Sequence, residues 1–167
     1  MWGPAVPAGL RRLKMKLNKK AATVTAVFLV ELMSPLWWPP TVEAPGELLG
    51  GAQVDARVMG ILRRSCADCH SDETRYPWYS YVLPSAWLVN NDVRHGRERM
   101  NLSQWEGYPT LRKERLLSEI ANQVKDRDMP LAQYAWIHRG AALSDTEVHA
   151  IFEWTQKERV RLIEQKP

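Results

Sequence analysis

Apolar positions recur at helical spacing in four stretches of this chain, and nowhere do they alternate as a half-buried strand requires. Val54, Val58, Ile61 and Leu62 make the first stripe, which runs directly into Cys66. A second stretch follows Pro84, with Ser85 placed to cap it and Trp87, Leu88 and Val93 as its apolar members. A third helix is predicted from about Thr110 to Lys125, where Leu117, Ile120, Ala121 and Val124 share one face. The fourth has the clearest start. Ser144-Asp145-Thr146-Glu147 is a capping box, flanked by Leu143 and Val148 as a hydrophobic staple, and Val148, Ile151, Phe152 and Thr155 supply its apolar stripe. The prediction is an all-α, compact helical domain.

The N-terminal pattern is different in kind. A basic stretch, Arg11 to Lys20, precedes an apolar run from Ala21 to Met33 interrupted by Glu31, the arrangement of an export signal. Extended to Trp38, the run reaches 18 residues, enough to span a bilayer with Trp37 and Trp38 at the far interface. Val42-Glu43-Ala44 is the nearest approach to a cleavage site, so both a cleaved signal and an uncleaved anchor stay open. Prolines 39, 40 and 45 and glycines 46, 50 and 51 then mark a linker. The expected organisation is a basic region over 1–20, a signal or anchor over 21–38, a linker over 39–50, the folded domain over 51–160 and a tail over 161–167. The domain is expected in the periplasm or cell envelope, on the oxidising side of the membrane.

Charge supports that division. Of 23 basic and 19 acidic residues, six and two lie in residues 1–44, leaving 17 of each in the rest. The folded part is neutral, so a sequence pI of about 9.2 does not indicate a nucleic-acid partner. Eight tryptophans in 167 residues suit a flat apolar ligand, and equally an ordinary core.

The candidate chemistry lies in Cys66-Ala67-Asp68-Cys69-His70, which contains both cysteines of the chain. A Cys-x-x-Cys-His run is the attachment sequence for c-type haem: two thiols at this spacing reach the two vinyl groups, and the next residue carries an imidazole beneath the iron. Three rivals explain less. A Cys66–Cys69 disulfide leaves His70 without a role; a thioredoxin-like pair calls for a preceding strand rather than a helix; and a zinc site needs a second ligand pair, which His95, His138 and His149 do not form. The expected cofactor is one covalently attached haem c.

Three segments carry a family resemblance: Arg64 to Tyr81 (RSCADCHSDETRYPWYSY), Asp92 to Trp105 (DVRHGRERMNLSQW) and Asp128 to Tyr134 (DMPLAQY). They resemble the small exported haem-binding domain proteins over about residues 54–157. Leu102 departs from the pattern, which expects an aromatic there. The resemblance implies a monohaem, cytochrome-c-like helical domain.

The sixth iron position decides the function class, because an occupied iron transfers electrons and an open one binds small ligands. Met129, in Asp128-Met129-Pro130 before the last helix, is the expected ligand, similar to the Met-Pro loop of many small cytochromes c; His138 is the alternative, and Met100 has no comparable loop. Tyr76, Pro77 and Trp78 are expected along the haem edge, with Trp87 also in contact, and the Pro77 or Pro84 carbonyl is expected to orient His70. Arg75, Arg94, Arg97 and Trp105 are candidate propionate partners. His95 is assigned to the surface or the propionate side. The reading is a one-electron carrier, not an enzyme, working with redox partner proteins and with the membrane if the anchor is kept. The alternative is a five-coordinate haem module for gas sensing or peroxide chemistry.

Overall fold

The computed structural model describes residues 19–32 and 46–165 of the 167. Its helices are α1 (Lys19–Leu32), α2 (Ala56–Ser65), α3 (Ala67–His70), α4 (Ser85–Arg99), α5 (Thr110–Lys125), α6 (Ala132–Ile137) and α7 (Asp145–Glu164). Three 3₁₀ turns join them, at Trp78–Tyr81, Leu102–Gly107 and Arg139–Ala141. No strand occurs among the described residues, so the domain is all-α.

The long pair α5 and α7 forms the main packing layer, with α2 laid against α7. Leu116, Leu117, Ile120 and Val124 of α5 meet Ile151, Trp154 and Leu162 of α7 in one core, which Val58, Ile61 and Leu62 of α2 complete. A second layer, α3 on α4 with the Trp78–Tyr81 turn, carries the site. Leu102 is buried in the core and Trp105 beside it is 1% exposed, so an aliphatic residue at 102 is simply core filling.

Helix starts follow their local chemistry. Asp55 caps α2 by accepting from the Val58 amide at 2.9 Å. Ser144 and Glu147 form the reciprocal capping box of α7, while Leu143 and Val148 pack at the edge of the core. Ser85 does not cap α4. Its hydroxyl donates backwards to the Tyr79 and Val82 carbonyls at 2.7 and 2.8 Å, tying the helix to the preceding turn. The buried side of α4 is Ala86 and Val93, with Trp87 and Leu88 facing outwards. On α7, Trp154 and Glu158 take the buried positions and Phe152 lies at the surface.

The fold also reaches beyond 51–160. Leu48 and Leu49 belong to the core, and the Leu49 amide donates to the Leu102 carbonyl at 2.9 Å. At the other end, α7 continues to Glu164 and buries Leu162. Of the N-terminal expectations, α1 covers the apolar run as a 14-residue helix with Val24, Val27, Phe28, Leu29 and Val30 exposed. Residues 1–18 and 33–45, which hold most of the basic stretch, Trp37 and Trp38 and most of the linker, lie outside the described residues. Among the described residues no helix is long and apolar enough to cross a membrane.

Among the ion pairs of α7, two fasten it to the 51–53 segment and to α2. Glu158, 2% exposed, pairs with Arg161 (Nε to Oε2 2.7 Å) and accepts from the Gln53 amide, while Arg161 also donates to the Gly51 carbonyl. Removing the carboxylate strands a largely buried guanidinium, so Glu158→Ala is expected to cost about 3 kcal/mol in urea denaturation; an unchanged midpoint would contradict this. The second pair joins α2 to the α7 N-terminus, with Arg64 donating to Glu147 at 2.8 Å. The Ser144 amide first, and then Arg64, hold the Glu147 carboxyl down from 4.5 to about 2. A depressed folded-state pKa gives stability that is present above the unfolded value and lost on acidification. The stability difference between wild type and Glu147→Gln should therefore be full above pH 4.5 and fade as pH falls toward 2. A difference independent of pH across that window would refute the assignment.

Candidate haem site

Cys66 is the hinge residue between α2 and α3. Its amide continues α2 by donating to the Leu62 carbonyl at 2.9 Å, and its carbonyl starts α3 by accepting from the Cys69 and His70 amides at 3.2 and 3.0 Å. One short turn therefore presents both thiols and the imidazole together. The following loop locks that turn. Ser71, fully buried, donates to the Ala67 carbonyl at 2.7 Å, and Thr74 donates to the Asp68 carbonyl at 2.7 Å.

Helix α4 lies directly against α3. A Cβ built on Gly96 would stand 2.5 Å from the Cys69 carbonyl oxygen and 3.1 Å from its carbon, so this crossing needs a residue without a side chain. Arg97, the next residue, donates to the Ser71 carbonyl and the Thr74 hydroxyl, each at 2.9 Å. At the end of α4 the Met100 carbonyl lies 3.1 Å from His70 Nδ1. That contact makes Nδ1 the donor and leaves the Nε2 lone pair for a ligand bond. Burial pulls the imidazole pKa down, against the opposing pull of the Met100 and Gly96 carbonyls, which favours the neutral, metal-binding form.

Two adjoining cavities, of about 330 and 280 Å³, open on this turn and share Cys66, His70, Arg99 and Met129. The first is walled by Leu116, Ile120 and Val124 of α5 together with Met100. Cys69, Tyr134, Leu131 and Pro130 line the second, with Asp92 and His95 beside them. The lining suits a flat apolar group with charged margins. The Cys66 thiol and the oriented imidazole meet at the junction with the Cys69 thiol on the second cavity, hydrocarbon lines most of the first slot, and Arg99 is a cation common to both. At the second wall the hydroxyl of Ser65 is buried without a partner. A larger groove of about 690 Å³ between α2 and α7 has charged side chains as half of its lining and contains neither cysteine nor His70.

The thiol chemistry weighs against the rival readings. Burial raises Cys66 to about 12 and Cys69 to about 11, so both are protonated at neutral pH, opposite to a redox-active pair. Among the described residues no cluster of three or more His, Cys, Asp or Glu can hold a metal ion.

A family model described as a haem-binding domain matches residues 30–157. The chain belongs to that family. Comparison with curated proteins and comparison with solved structures each return no match. The resemblance seen in the three segments therefore holds, and their geometry gives it a physical basis. In this haem-binding domain the first segment forms the Cys-x-x-Cys-His turn, the second supplies Gly96, Arg97 and Met100 behind it, and the third brings Met129 and Tyr134 to the cleft.

Other expected contacts are not brought to the cleft. Tyr76, Pro77 and Trp78 line neither cavity; residues 78–81 wind into a 3₁₀ turn on α4 that leaves Trp78 78% exposed, while Tyr76 stays half-buried, near enough to Cys69 and Arg97 to interact with both. Trp87 faces solvent on the outer side of α4. The Pro77 carbonyl accepts from the Ser80 amide, and the carbonyl that orients His70 belongs to Met100, because α4 rather than the aromatic loop lies behind the ring. Arg75 pairs with Asp68, Arg94 with Glu98, and Trp105 is core. His138 is likewise absent from both linings: its Nε2 meets the Tyr79 hydroxyl at 3.1 Å and its Nδ1 lies 3.2 Å from the Tyr134 carbonyl. Sequence reasoning missed Arg99, Gln123 and Tyr134. Tyr134 closes the Met-Pro segment, and Arg99 is one turn past Gly96 on α4; neither signal specifies a role without the packing.

Gly96→Ala tests the crossing. Helix propensity alone would stabilise α4 by about 1 kcal/mol, whereas the clash is with a backbone carbonyl that cannot swing aside, an overpacking cost of about 2–3 kcal/mol. The clash should win, giving a lower thermal midpoint for the variant; a raised midpoint would show that α4 does not press on Cys69.

Proposed function

We propose that this haem-binding domain is a c-type cytochrome that carries single electrons in the cell envelope; Cys66 and Cys69 would hold the haem by thioether bonds, and His70 and Met129 would ligate its iron. One observation carries the reading: the two thiols, the Nδ1-tethered imidazole and the Met129 side chain all border the same cleft. When bound, the haem supplies an iron that cycles between two oxidation states.

The protein's part is orientation and exclusion of water. The Met100 carbonyl fixes the His70 ring, and the α5 stripe excludes solvent from one side, which tunes the potential through local dielectric. Arg99 offers a guanidinium fork to a carboxylate at the margin. Met129 comes from a loop whose Asp128 and Met129 amides both donate to the Gln123 carbonyl, at 3.0 and 3.2 Å, so its backbone is set by the end of α5. Met100 is the rival thioether, but its backbone is committed to His70 itself. A thioether ligand raises the potential relative to a second histidine. An open-iron peroxidase needs a polar base above the metal; His138 is withdrawn from that role by the engagement of both its nitrogens, which leaves His95, at the second cavity, as the only histidine besides His70 beside the cleft among the described residues. Export is part of the proposal: Lys19 and Lys20 open α1 ahead of its apolar run, the order of a signal or anchor. Partners are then redox proteins of that compartment.

Wild type expressed with the haem-attachment machinery should retain haem through denaturation. In oxidised form it should show the weak far-red band of sulfur-to-iron charge transfer. Cys66→Ser with Cys69→Ser should release the haem, and Met129→Ala should lose the band. A colourless wild type removes the haem assignment; a band that survives Met129→Ala removes Met129 as ligand.

A further inference from the structure

The Met129 loop is held on two sides. On its own side of the cleft it is tied to α5 through the Gln123 carbonyl and to the start of α7 through Arg127, which pairs with Asp145 and donates to the Leu143 carbonyl at 2.6 Å. A further tie crosses the cleft. Tyr134, five residues on and in α6, donates its hydroxyl to Asp68 Oδ2 at 2.7 Å, and Asp68 lies between the two cysteines. The other carboxylate oxygen of Asp68 is occupied by Arg75, through its amide at 3.2 Å and its Nε at 3.3 Å. The tyrosine ring is gripped from behind: His138 stacks on it with centroids 4.3 Å apart and 29° between planes, and is itself held by the Tyr79 hydroxyl. Tyr134 lines the second cavity with Met129, Pro130 and Leu131.

We propose that Tyr134 is a positioning residue that latches the distal loop onto the Cys-x-x-Cys-His helix through Asp68 and so keeps the Met129 sulfur over the cleft. The inference rests on the reading of Met129 as sixth ligand. A thioether is a weak ligand, and its hold depends on how often its loop swings away. A hydrogen bond to a carboxylate is strong enough to make that opening about ten times rarer.

The test is cyanide binding to the oxidised, haem-loaded protein, whose rate reports displacement of the thioether. Tyr134→Phe keeps the ring and its stacking on His138 and removes only the hydroxyl. It is expected to bind cyanide about tenfold faster than wild type and to show an altered far-red band. Asp68→Ala should do the same, and adding Tyr134→Phe to it should accelerate binding no further, as shared action through one bond requires. A general loss of stability would lower the thermal midpoint without this non-additivity. If Met129→Ala abolishes the band yet Tyr134→Phe binds cyanide at the wild-type rate, or the two substitutions add, the latch is overturned and the Met129 reading stands. If the band survives Met129→Ala, the coordination reading fails and the latch falls with it.

Discussion

The contact of α3 with α4 at Gly96 is the constraint on which the site is built. Two helices reach backbone-to-backbone distance only where a side chain is missing, and here the missing Cβ lets the Cys69 carbonyl sit against α4. Everything behind the cysteine turn follows from that approach. Arg97 can reach the loop carbonyls, and the end of α4 brings the Met100 carbonyl to His70 Nδ1. A four-residue helix has almost no stability of its own. Its geometry is imposed by α2 continuing into it, α4 pressing on it, and a loop closed by Ser71 and Thr74.

The other side of the cleft is built differently. There the chain is a loop and a short helix, with α6 packed on the Arg139–Ala141 turn and linked across the cleft by side-chain polar contacts rather than by deep apolar burial. No residue of α6 is buried. Such a segment opens more readily than a core helix. A rigid histidine side facing a lighter methionine side would suit two iron ligands of unequal strength under the proposed function: the imidazole stays oriented while the thioether depends on its loop.

The scaffold below the site uses buried charge as well as hydrocarbon. Glu158 and Arg161 hold the 51–53 segment on α7, where the Trp154 indole also donates to the Gln53 carbonyl at 2.9 Å. Arg64 links α2, immediately before Cys66, to the cap of α7. The helix that feeds the cysteine turn is therefore anchored to the longest helix of the domain.

Local pattern determined the four main helices, the capping box at Ser144, the all-α class and the haem-binding family, because these depend on neighbours within a few residues. Helix periodicity, cap chemistry and the Cys-x-x-Cys-His spacing are all short-range signals. The tertiary structure alone decided which side chains line the cleft. Trp78 and Trp87 looked like contacts by their aromatic character, yet the 3₁₀ turn and the outward face of α4 turn them to solvent. Arg99 and Tyr134 looked ordinary, and Met100 looked like a mere alternative ligand, until the helix crossing and the loop path brought them to Cys66 and His70. The physical reason is range: periodicity records which face of a helix is apolar, and only packing at separations of 30 and 66 residues, from His70 to Met100 and from Asp68 to Tyr134, says what that face meets.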